Sequence, residues 1–325
     1  MPIPHSEVTS KSSLKEYSKR MNKVLNYIDA HLDAPLDLNT LADVAHFSPF
    51  HFHRIFSAWM GETLGDYLRR RRLESAAVKL ASQPRLSILS VALSIGFSSG
   101  EAFARAFKLQ FSCSPSAWQR DTTQRWATEL ASIKNQNRNL SQVDRNPDQA
   151  LQHQFDQDGI SKLSIKENHM DVKLVELPAA KIAYLRKIGP YGIAVSEFWR
   201  TSFYPWLIAQ NLGPQPIYGI GLDDPSVTPA DKCRYDAGVE VGADYVATGH
   251  AMLTTLPGGR YAVSKFVGTV DEISDVWIAL FRGWLPSSGL QCDDRPCFEY
   301  YPVGSSFDEV TGVFDCELCI PVRPL

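Results

Sequence analysis

The sequence lacks any long apolar run. A membrane-spanning helix needs about 20 consecutive apolar residues, and no stretch of the 325 residues approaches that length. The first 20 residues, MPIPHSEVTSKSSLKEYSKR, also lack the apolar core of a secretory signal. We therefore expect a cytoplasmic protein with no membrane partner.

Cysteine is scarce as well. Six cysteines are too scattered for a disulfide framework. Cys316 and Cys319 form a C-x-x-C pair, but FDCELCIPV is typical of a strand, in which residues three apart point to opposite faces. No second Cys or His pair at a zinc-like spacing accompanies them. We expect free thiols, no metal site and no cofactor, and the redox activity of Cys316 and Cys319 stays open.

The chain also lacks a large net charge of one sign, because its net charge is only −3. The charge is nevertheless divided unevenly. Residues 1–125 carry 16 Lys and Arg against 11 Asp and Glu, a net charge of +5, residues 126–169 carry −1, and residues 170–325 carry −7. A basic first part joined to an acidic last part is expected when only one end approaches phosphates.

Residues 15–120 are predicted to be almost entirely helical. Apolar residues follow a helical spacing, Gly61 ends one short helix, and a longer helix runs from about Thr63 to Ala81. The predicted N-caps of three short helices are Asp37, Ser48 and Ser98.

This helical part contains an internal repeat of fifty or fifty-one residues. The segment Ala45-His46-Phe47-Ser48 corresponds to Ile95-Gly96-Phe97-Ser98, and Arg54 corresponds to Arg105. The turn between paired short helices often needs a positive φ, which Gly96 adopts freely and His46 tolerates. The pattern predicts two helix-turn-helix units.

A helix-turn-helix places residues near the N-terminus of its second helix against base edges in the major groove. Arg54 and Arg105 could each donate a bidentate pair to guanine, or could equally contact phosphate. Arg69 and Arg71, within a run of four arginines, are the predicted phosphate contacts. The candidate base-facing residues are Ser48, Pro49, Phe50, His53 and Arg54 in the first unit and Ser99, Gly100, Glu101 and Arg105 in the second.

These motifs resemble the AraC/XylS regulators over about 105 residues. The resemblance implies two recognition helices in successive major grooves on one face of double-stranded DNA. Two departures stand out: Ser112 replaces the usual glycine before Ser-Pro, and Gly100-Glu101 replaces commoner amide residues. The matching positions are Ser48, Arg54, Phe56, Gly61, Tyr67-Leu68-Arg69, Ala76, Gly96-Phe97-Ser98, Phe103, Arg105, Phe107-Lys108, Ser114-Pro115 and Trp118-Gln119-Arg120.

Residues 121–168 are rich in Asn and Gln and poor in apolar side chains. Such a segment buries too little surface to offset its ordering entropy. We predict a polar linker that lets the two flanking domains move fairly independently.

Residues 170–325 contain a second internal repeat, offset by about 79 residues. Leu177-Pro178 recurs as Leu256-Pro257, and the pair Trp199 and Trp206 recurs as Trp277 and Trp284. Each copy reads strand, glycine turn, helix, strand, strand. Two such units predict an antiparallel sheet with both helices on one face and a groove between the repeats.

Aromatic side chains and one carboxylate are the predicted lining of this groove. Glu299 stands where the first repeat has Gly219, so one carboxylate breaks the symmetry. A carboxylate among aromatic rings suits an organic cation; the alternative is a solvent-facing Glu299 or one paired with an arginine. The predicted ligand-binding residues are Tyr191, Trp199, Tyr218, Trp277, Phe281, Trp284, Phe298, Glu299 and Tyr301.

The second half resembles the GyrI-like effector-binding domains of bacterial multidrug-sensing regulators. This resemblance covers nearly all of residues 170–325 and implies that an acidic residue at position 299 serves the pocket. The matching motifs include Gly189-Pro190-Tyr191, Asp224-Pro225, Arg234-Tyr235-Asp236, Gly258-Gly259-Arg260-Tyr261-Ala262, Trp284-Leu285-Pro286 and Phe298-Glu299-x-Tyr301.

Together these observations predict a multidomain fold: an all-α domain with two helix-turn-helix units at 15–120, a linker at 121–168, and an α+β domain at 170–325. The expected function is a DNA-binding transcription regulator, by preference an activator, that senses a small aromatic or cationic effector. RNA polymerase is a further expected partner. The alternative is that the GyrI-like domain hydrolyses small molecules, with Tyr and Glu as acid and base; the attached DNA reader favours a protein that is not an enzyme.

Overall fold

The computed structural model of the chain describes residues 5–83, 85–120 and 171–324. The predicted linker, residues 121–168, lies outside the described residues. None of the helices within those ranges combines the length and the apolar character needed to cross a membrane.

The N-terminal domain is helical. Its helices are α1 (His5–Ala30), α2 (Leu38–Val44), α3 (Pro49–Met60), α4 (Leu64–Ser82), α5 (Ile88–Ser94), α6 (Gly100–Phe111) and α7, which includes residues 115–120. The pairs α2–α3 and α5–α6 are the two predicted helix-turn-helix units, and α4 connects them.

Side-chain caps set the starts of the short helices. Asp37 and Ser48 cap α2 and α3 as predicted, because each accepts a hydrogen bond from a backbone N–H three residues later. The predicted cap at Ser98 is wrong by one residue. Ser99 caps α6, and its hydroxyl accepts from the Ala102 N–H at 3.1 Å, so the helix begins at Gly100.

The turns within the two units have the predicted backbone conformation. His46 has φ 54° and Gly96 has φ 82°. A Cβ at Gly96 would lie 2.7 Å from the Leu32 carbonyl oxygen, so packing as well as φ favours glycine there. Ser112, where the resembling family has glycine, has φ 59° at the end of α6, a left-handed conformation that glycine adopts freely.

Each helix-turn-helix unit has its own core. In the first unit Phe52 and Phe56 of α3 are fully buried beneath α1 and α4. Phe103 and Phe107 of α6 occupy the equivalent places in the second unit. Residues four apart lie on one face of a helix, so these phenylalanines fix which face of α3 and of α6 points outward.

Within residues 171–324, nine antiparallel strands form the C-terminal sheet. They are β1 (Val172–Leu177), β2 (Ala180–Ile188), β3 (Ile217–Gly221), β4 (Arg234–Glu240), β5 (Met252–Leu256), β6 (Gly259–Gly268), β7 (Leu290–Cys292), β8 (Phe298–Tyr301) and β9 (Phe314–Pro324). The strand order is β1-β6-β9-β8-β3-β4-β2-β5, and β7 pairs with β9.

Two helices cover one face of this sheet. The first groove helix, residues 193–209, consists of α8 (Ile193–Phe198), a π-helical turn (Trp199–Phe203) and α9 (Tyr204–Ala209). The second groove helix, residues 270–287, consists of α10 (Val270–Ala279), a π-helical turn (Leu280–Trp284) and α11 (Leu285–Ser287).

The pairing of β3 with β8 joins the two repeats at the centre of the sheet, as the internal repeat predicts. Each side of this junction holds three strands of one repeat and the first strand of the other: β8, β9 and β6 lie with β1, and β3, β4 and β2 lie with β5. Strand alternation also places Cys316 and Cys319 in different cores, on opposite faces of β9. The predicted strand–helix–strand–strand unit is therefore present twice.

The two domains are in contact, contrary to the expected independent motion. Arg234 of β4 forms an ion pair with Asp29 of α1 at 2.5 Å, and Arg186 of β2 donates to the Asn26 side-chain oxygen at 2.7 Å. These contacts lie on the face of the sheet that the groove helices leave free. The composition of the linker could not reveal them, because they form between residues more than 150 positions apart.

The depth of the first core yields a stability prediction. We expect Phe56→Ala to lower the free energy of unfolding by about 3–5 kcal/mol, because it leaves a cavity among fully buried side chains. The measurement is urea unfolding of the full chain. Phe50→Ala on the same helix is the matched control, since Phe50 is 68% exposed. A loss of equal size in both variants would contradict the burial assigned to Phe56.

Candidate functional site

The outward face of α3 carries the residues predicted to read DNA. Because Phe52 and Phe56 point into the core, Pro49, Phe50, His53 and Arg54 are exposed to solvent even with the C-terminal domain in place. The Arg54 guanidinium lies over the Phe50 ring, 5.8 Å from its centroid. This stacking pre-orients a planar cation at the helix surface.

The outward face of α6 is built in the same way. Glu101 and Arg105 are exposed, and Gly100 begins the helix half-buried. Ser48 and Ser99 are exposed too, but their hydroxyls cap the two helices. The structure therefore puts Arg54 and Arg105 at equivalent places on two exposed helices.

The four consecutive arginines of α4 are not equivalent. The Arg69 side chain is 61% exposed and forms an ion pair with the exposed Asp66. Arg70 pairs with Glu62 and Glu74, and Arg72 donates to backbone carbonyl groups after α1. Arg69 thus remains a candidate for a phosphate contact.

Arg71 corrects the sequence prediction of a second phosphate contact. It is buried between the domains, where it pairs with Asp29 at 3.2 Å, Glu74 at 2.9 Å and Asp223 at 2.6 Å. Successive residues on a helix differ by about 100°, and that rotation turns Arg71 toward the C-terminal domain. An arginine with three carboxylate partners inside the protein is not available to DNA.

A second candidate site surrounds Glu299 in the groove between the two groove helices. The Tyr235 hydroxyl donates to Glu299 Oε2 at 2.8 Å, and the Tyr301 hydroxyl donates to the same oxygen at 3.1 Å. The Trp277 indole also donates to this carboxylate. Three donors from both halves of the domain therefore hold one carboxylate at the centre of the groove.

The register of β3 and β8 makes room for this carboxylate. Gly219 lies directly opposite Glu299. A Cβ at position 219 would overlap both the Tyr235 hydroxyl and the Glu299 carboxylate. The position where the repeats differ, glycine in one and glutamate in the other, is therefore a physical requirement of the site.

Aromatic rings form the walls of the groove. Trp199 packs against Tyr301, with 5.4 Å between ring centroids, and its indole N–H donates to the Tyr235 hydroxyl at 3.3 Å. On the opposite side the rings of Trp277 and Phe281 are stacked. All of these side chains line one cavity together with Glu299. The groove therefore brings flat apolar faces next to the Glu299 carboxylate.

Three of the predicted groove residues pack mainly into the cores of the domain, although Phe298 is also among the residues that line the cavity. Tyr218 and Phe298 pack against each other on the opposite face of the sheet, because neighbours in a strand alternate between faces. Tyr218 donates its hydroxyl to Glu240. Trp284 packs into the core beneath the second groove helix and is not among the side chains that line the cavity.

Tyr191 lines the cavity with its ring, but its hydroxyl is used by the protein. The hydroxyl donates to the Arg234 carbonyl oxygen at 2.7 Å, lies 3.0 Å from the Asp223 carbonyl oxygen as an alternative acceptor, and accepts from the Asp223 N–H at 3.2 Å. The Tyr191 ring meets Tyr235 edge-on, with 6.1 Å between centroids. Tyr191 therefore connects the groove to the backbone beside it.

Tyr235 is a groove residue that the sequence prediction missed. It lies in the strand beside Gly219, opposite Gly221 in the β3–β4 register, and its side chain faces Glu299. The signal was present in the motif Arg234-Tyr235-Asp236, but the side that Tyr235 faces depends on a strand pairing that sequence spacing alone does not fix.

The enclosure of the groove shifts the acidity of its groups. Burial raises the pKa of Glu299 above its ordinary value, although hydrogen bonds from Tyr235, Tyr301 and Trp277 oppose that shift. Burial and the neighbouring carboxylate raise the pKa of Tyr235 and of Tyr301 well above the ordinary tyrosine value. Both hydroxyls therefore keep their protons and donate to Glu299.

The packing at Gly219 can be tested by substitution. We expect Gly219→Ala to weaken ligand binding in the groove at least tenfold, because the added methyl group displaces the Tyr235 hydroxyl and Glu299. Gly221→Ala, two residues along the same strand, is the matched control, since its Cβ would meet Tyr191 only at ordinary contact distances of 3.5 Å or more. Tryptophan fluorescence titration with an aromatic ammonium ion measures both variants, and equal affinities would refute the assignment.

Comparison with known proteins agrees with this architecture. Residues 41–121 match a helix-turn-helix domain family, and residues 170–323 match the GyrI-like small molecule binding domain family. The SPbeta prophage-derived protein YosT of Bacillus subtilis (strain 168) is 32% identical over 155 residues, which cover 47% of this chain and 100% of YosT.

Two further relatives are regulatory proteins, one similar over nearly the whole chain and one over about a third of it. The transcriptional regulator Rob of Salmonella typhimurium is 28% identical over 310 residues, which cover 92% of this chain and 96% of Rob. The regulatory protein SoxS of Escherichia coli (strain K12) is 35% identical over 103 residues, which cover 32% of this chain and 95% of SoxS. The chain belongs to the AraC-type transcription regulators and carries a C-terminal GyrI-like small-molecule-binding domain.

Proposed function

We propose that this regulator inserts α3 and α6 into two successive major grooves of one DNA duplex, and that an aromatic organic cation in the C-terminal groove modulates its action. It acts in the cytoplasm, activates transcription through RNA polymerase, and consumes no substrate. The observation that carries the DNA proposal is the equivalent exposure of Arg54 and Arg105 on two helices with equivalent cores.

The chemistry of the two exposed faces supports different base preferences. Arg54, stacked on Phe50, presents a guanidinium that suits guanine O6 and N7, and the exposed Phe50 ring suits a thymine methyl group. In the second unit Glu101 stands beside Arg105, and a carboxylate accepts from a cytosine amine. The two half-sites should therefore differ in sequence, and the protein should bind DNA asymmetrically.

Base reading can be separated from phosphate binding by three variants. A preferred duplex is selected from random DNA with the full chain, and its dissociation constant is measured by anisotropy at fixed salt. Arg54→Ala and Arg105→Ala should each cost about 1–3 kcal/mol and relax base preference in one half-site only. Arg69→Ala should weaken binding to all sequences alike and reduce the salt slope by about one.

The same experiment includes a footprint. Two neighbouring major grooves require protection of about 20 base pairs, two helical turns. If Arg54→Ala and Arg105→Ala leave the selected sequence preference unchanged, α3 and α6 do not read bases and the proposed mode of DNA binding fails.

The ligand proposal is based on the charge and the flatness of the groove. The Glu299 carboxylate and the ring faces of Trp199 and Trp277 would attract a cation electrostatically. An aromatic ligand would also make apolar contact with the same rings. Within the part of the chain that the structure describes, the side chains that donate to Glu299 are those of Tyr235, Tyr301 and Trp277, none of which is a cation. A ligand cation would supply a positive partner for Glu299, which these neutral donors do not provide.

The raised pKa of Glu299 predicts how binding depends on pH. An aromatic cation such as benzyltrimethylammonium binds the ionised carboxylate, so its affinity should be full above the pKa of Glu299 and should fall as the pH decreases through that value. Calorimetric titration across the range from pH 4 to pH 8 measures the effect. Glu299→Gln should bind weakly at every pH, and a wild-type affinity independent of pH would contradict ionic recognition.

The hydrolase alternative rests on the same residues, since Glu299 with Tyr235 and Tyr301 could act as acid and base. The two exposed recognition helices favour the sensor, because a reader of DNA attached to a binding groove couples naturally to gene control. Incubation with electrophilic small molecules, followed by mass spectrometry, separates the two functions. Turnover in the wild type that is lost in Glu299→Gln would support the hydrolase.

A further inference from the structure

One segment of the C-terminal domain lies between the groove and the N-terminal domain. Residues 222–234, here called the coupling segment, comprise the connection from β3 to β4 and the first residue of β4. The Leu222 N–H donates to the Arg234 carbonyl oxygen at 3.0 Å, which closes the base of the segment. Both of its ends therefore lie where β3 and β4 carry Gly219 and Tyr235 into the groove.

Charged side chains join the coupling segment to α1 and α4. Asp223 accepts from Arg71 at 2.6 Å and from the Arg234 side chain at 2.8 Å, and Arg234 also pairs with Asp29 at 2.5 Å. Arg71 in turn pairs with Asp29 at 3.2 Å. We call these four residues, two from each domain, the interdomain ion cluster.

The interdomain ion cluster is largely enclosed, with the Asp29 side chain the most exposed member at 29%. The side chains of Asp223 and Arg234 are 1% and 2% exposed. Burial alone would raise the pKa of Asp29 and of Asp223, but Arg234 and Arg71 hold both values below the ordinary range. Removing one partner from such a cluster leaves an unpaired buried charge, so the cluster favours one docked arrangement.

The coupling segment also contacts both helix-turn-helix units. The Lys232 ammonium donates to the Met60 carbonyl oxygen at the C-terminal end of α3. Val227 packs against the core of the second unit, which contains Phe103 and Phe107 of α6. A shift of this one segment would therefore act on both recognition helices.

Tyr191 and Tyr235 connect the same segment to the groove. The Tyr191 hydroxyl holds the backbone at Asp223 and Arg234, and its ring contacts Tyr235. Tyr235 donates to Glu299 and directly follows Arg234 in β4. Because strand neighbours alternate between faces, Arg234 points to α1 while Tyr235 points to the ligand groove. Two consecutive residues of β4 thus belong to the interdomain ion cluster and to the groove, respectively.

The geometry points to the coupling segment as the device that transmits occupancy of the groove to the two recognition helices. A cation that pairs with Glu299 changes the hydrogen bond of Tyr235, and Tyr235 with Tyr191 positions the backbone that carries Asp223 and Arg234. Ligand binding then alters how the interdomain ion cluster and Lys232 hold α1, α3 and α4. This inference rests on the proposed ligand and DNA functions and specifies how they are linked.

Thermodynamic linkage gives the inference a measurable form. If the ligand changes DNA affinity by some factor, DNA must change ligand affinity by the same factor. Known couplings of this kind amount to about 5–150-fold. We expect a factor in that range for the wild type and a factor near one when the interdomain ion cluster is broken.

The test measures the dissociation constant of the full chain for its selected duplex, with and without saturating benzyltrimethylammonium. Asp223→Asn should bind DNA and the cation separately but should lose the effect of one on the other. Asp231→Asn is the matched control, because Asp231 is exposed on the same segment and should retain the wild-type factor. Lys232→Gln, which leaves the ion cluster intact, should reduce the effect mainly at the half-site read by α3.

The outcomes distinguish this inference from the proposed function. If the wild type binds both partners but neither alters the other, or if Asp223→Asn couples them as strongly as the wild type, the inference is overturned. If the wild type fails to bind selected DNA, the proposed function itself fails. If the cation does not bind, the ligand proposal fails, and a second measurement decides the inference.

The second measurement is a double-mutant cycle on DNA affinity that needs no ligand. Tyr235→Phe disturbs the groove by removing the hydrogen bond to Glu299, and Asp223→Asn breaks the ion cluster. We expect their effects on the dissociation constant to depart from multiplicative behaviour at least threefold. Independent effects would refute transmission through the coupling segment, and circular dichroism confirms that each variant is folded.

Discussion

Two arginines and two aspartates meet where the domains join, and the arrangement of the whole chain depends on their pairing. Arg71 and Asp29 come from the helical domain, and Asp223 and Arg234 come from the sheet domain. Charges taken out of water must be paired with good geometry. Arg71 pairs with Asp29 and Arg234 with Asp223 inside each domain, and the additional pairs Arg71–Asp223 and Arg234–Asp29 form only when the domains are docked. That docked arrangement leaves the outward faces of α3 and α6 exposed.

A second enclosed carboxylate governs the groove by the same physical rule. Glu299 is held by hydroxyl and indole donors instead of a cation, so its negative charge is balanced only in part. The interdomain carboxylates have a lowered pKa because arginines face them, whereas burial without a cation raises the pKa of Glu299. The contrast separates carboxylates that hold the two domains together from a carboxylate that lines a cavity.

Both domains contain an internal repeat, and the positions at which the two copies differ indicate where each domain has specific chemistry. The helical copies share buried phenylalanines, but Phe50 near the start of α3 corresponds to Glu101 near the start of α6. The sheet copies share strands and groove helices, but Gly219 in one faces Glu299 in the other. The residues shared by the two copies thus form the core of each domain, and the residues that differ carry its distinct polar and aromatic groups.

The sequence by itself determined the local structure. The caps at Asp37 and Ser48 and the positive φ of His46 and Gly96 follow from short-range spacing, in which the period of a helix or strand fixes what each residue faces. Comparison of segments along the chain gave both internal repeats and singled out Glu299 as the position where the second pair of copies differs. Only the tertiary structure decided that Arg71 turns inward, that Tyr218 and Phe298 lie on the far face of the sheet, and that Tyr235 meets Glu299. These placements depend on strand register and on the docking of domains, which join residues distant in sequence and leave no periodic signal.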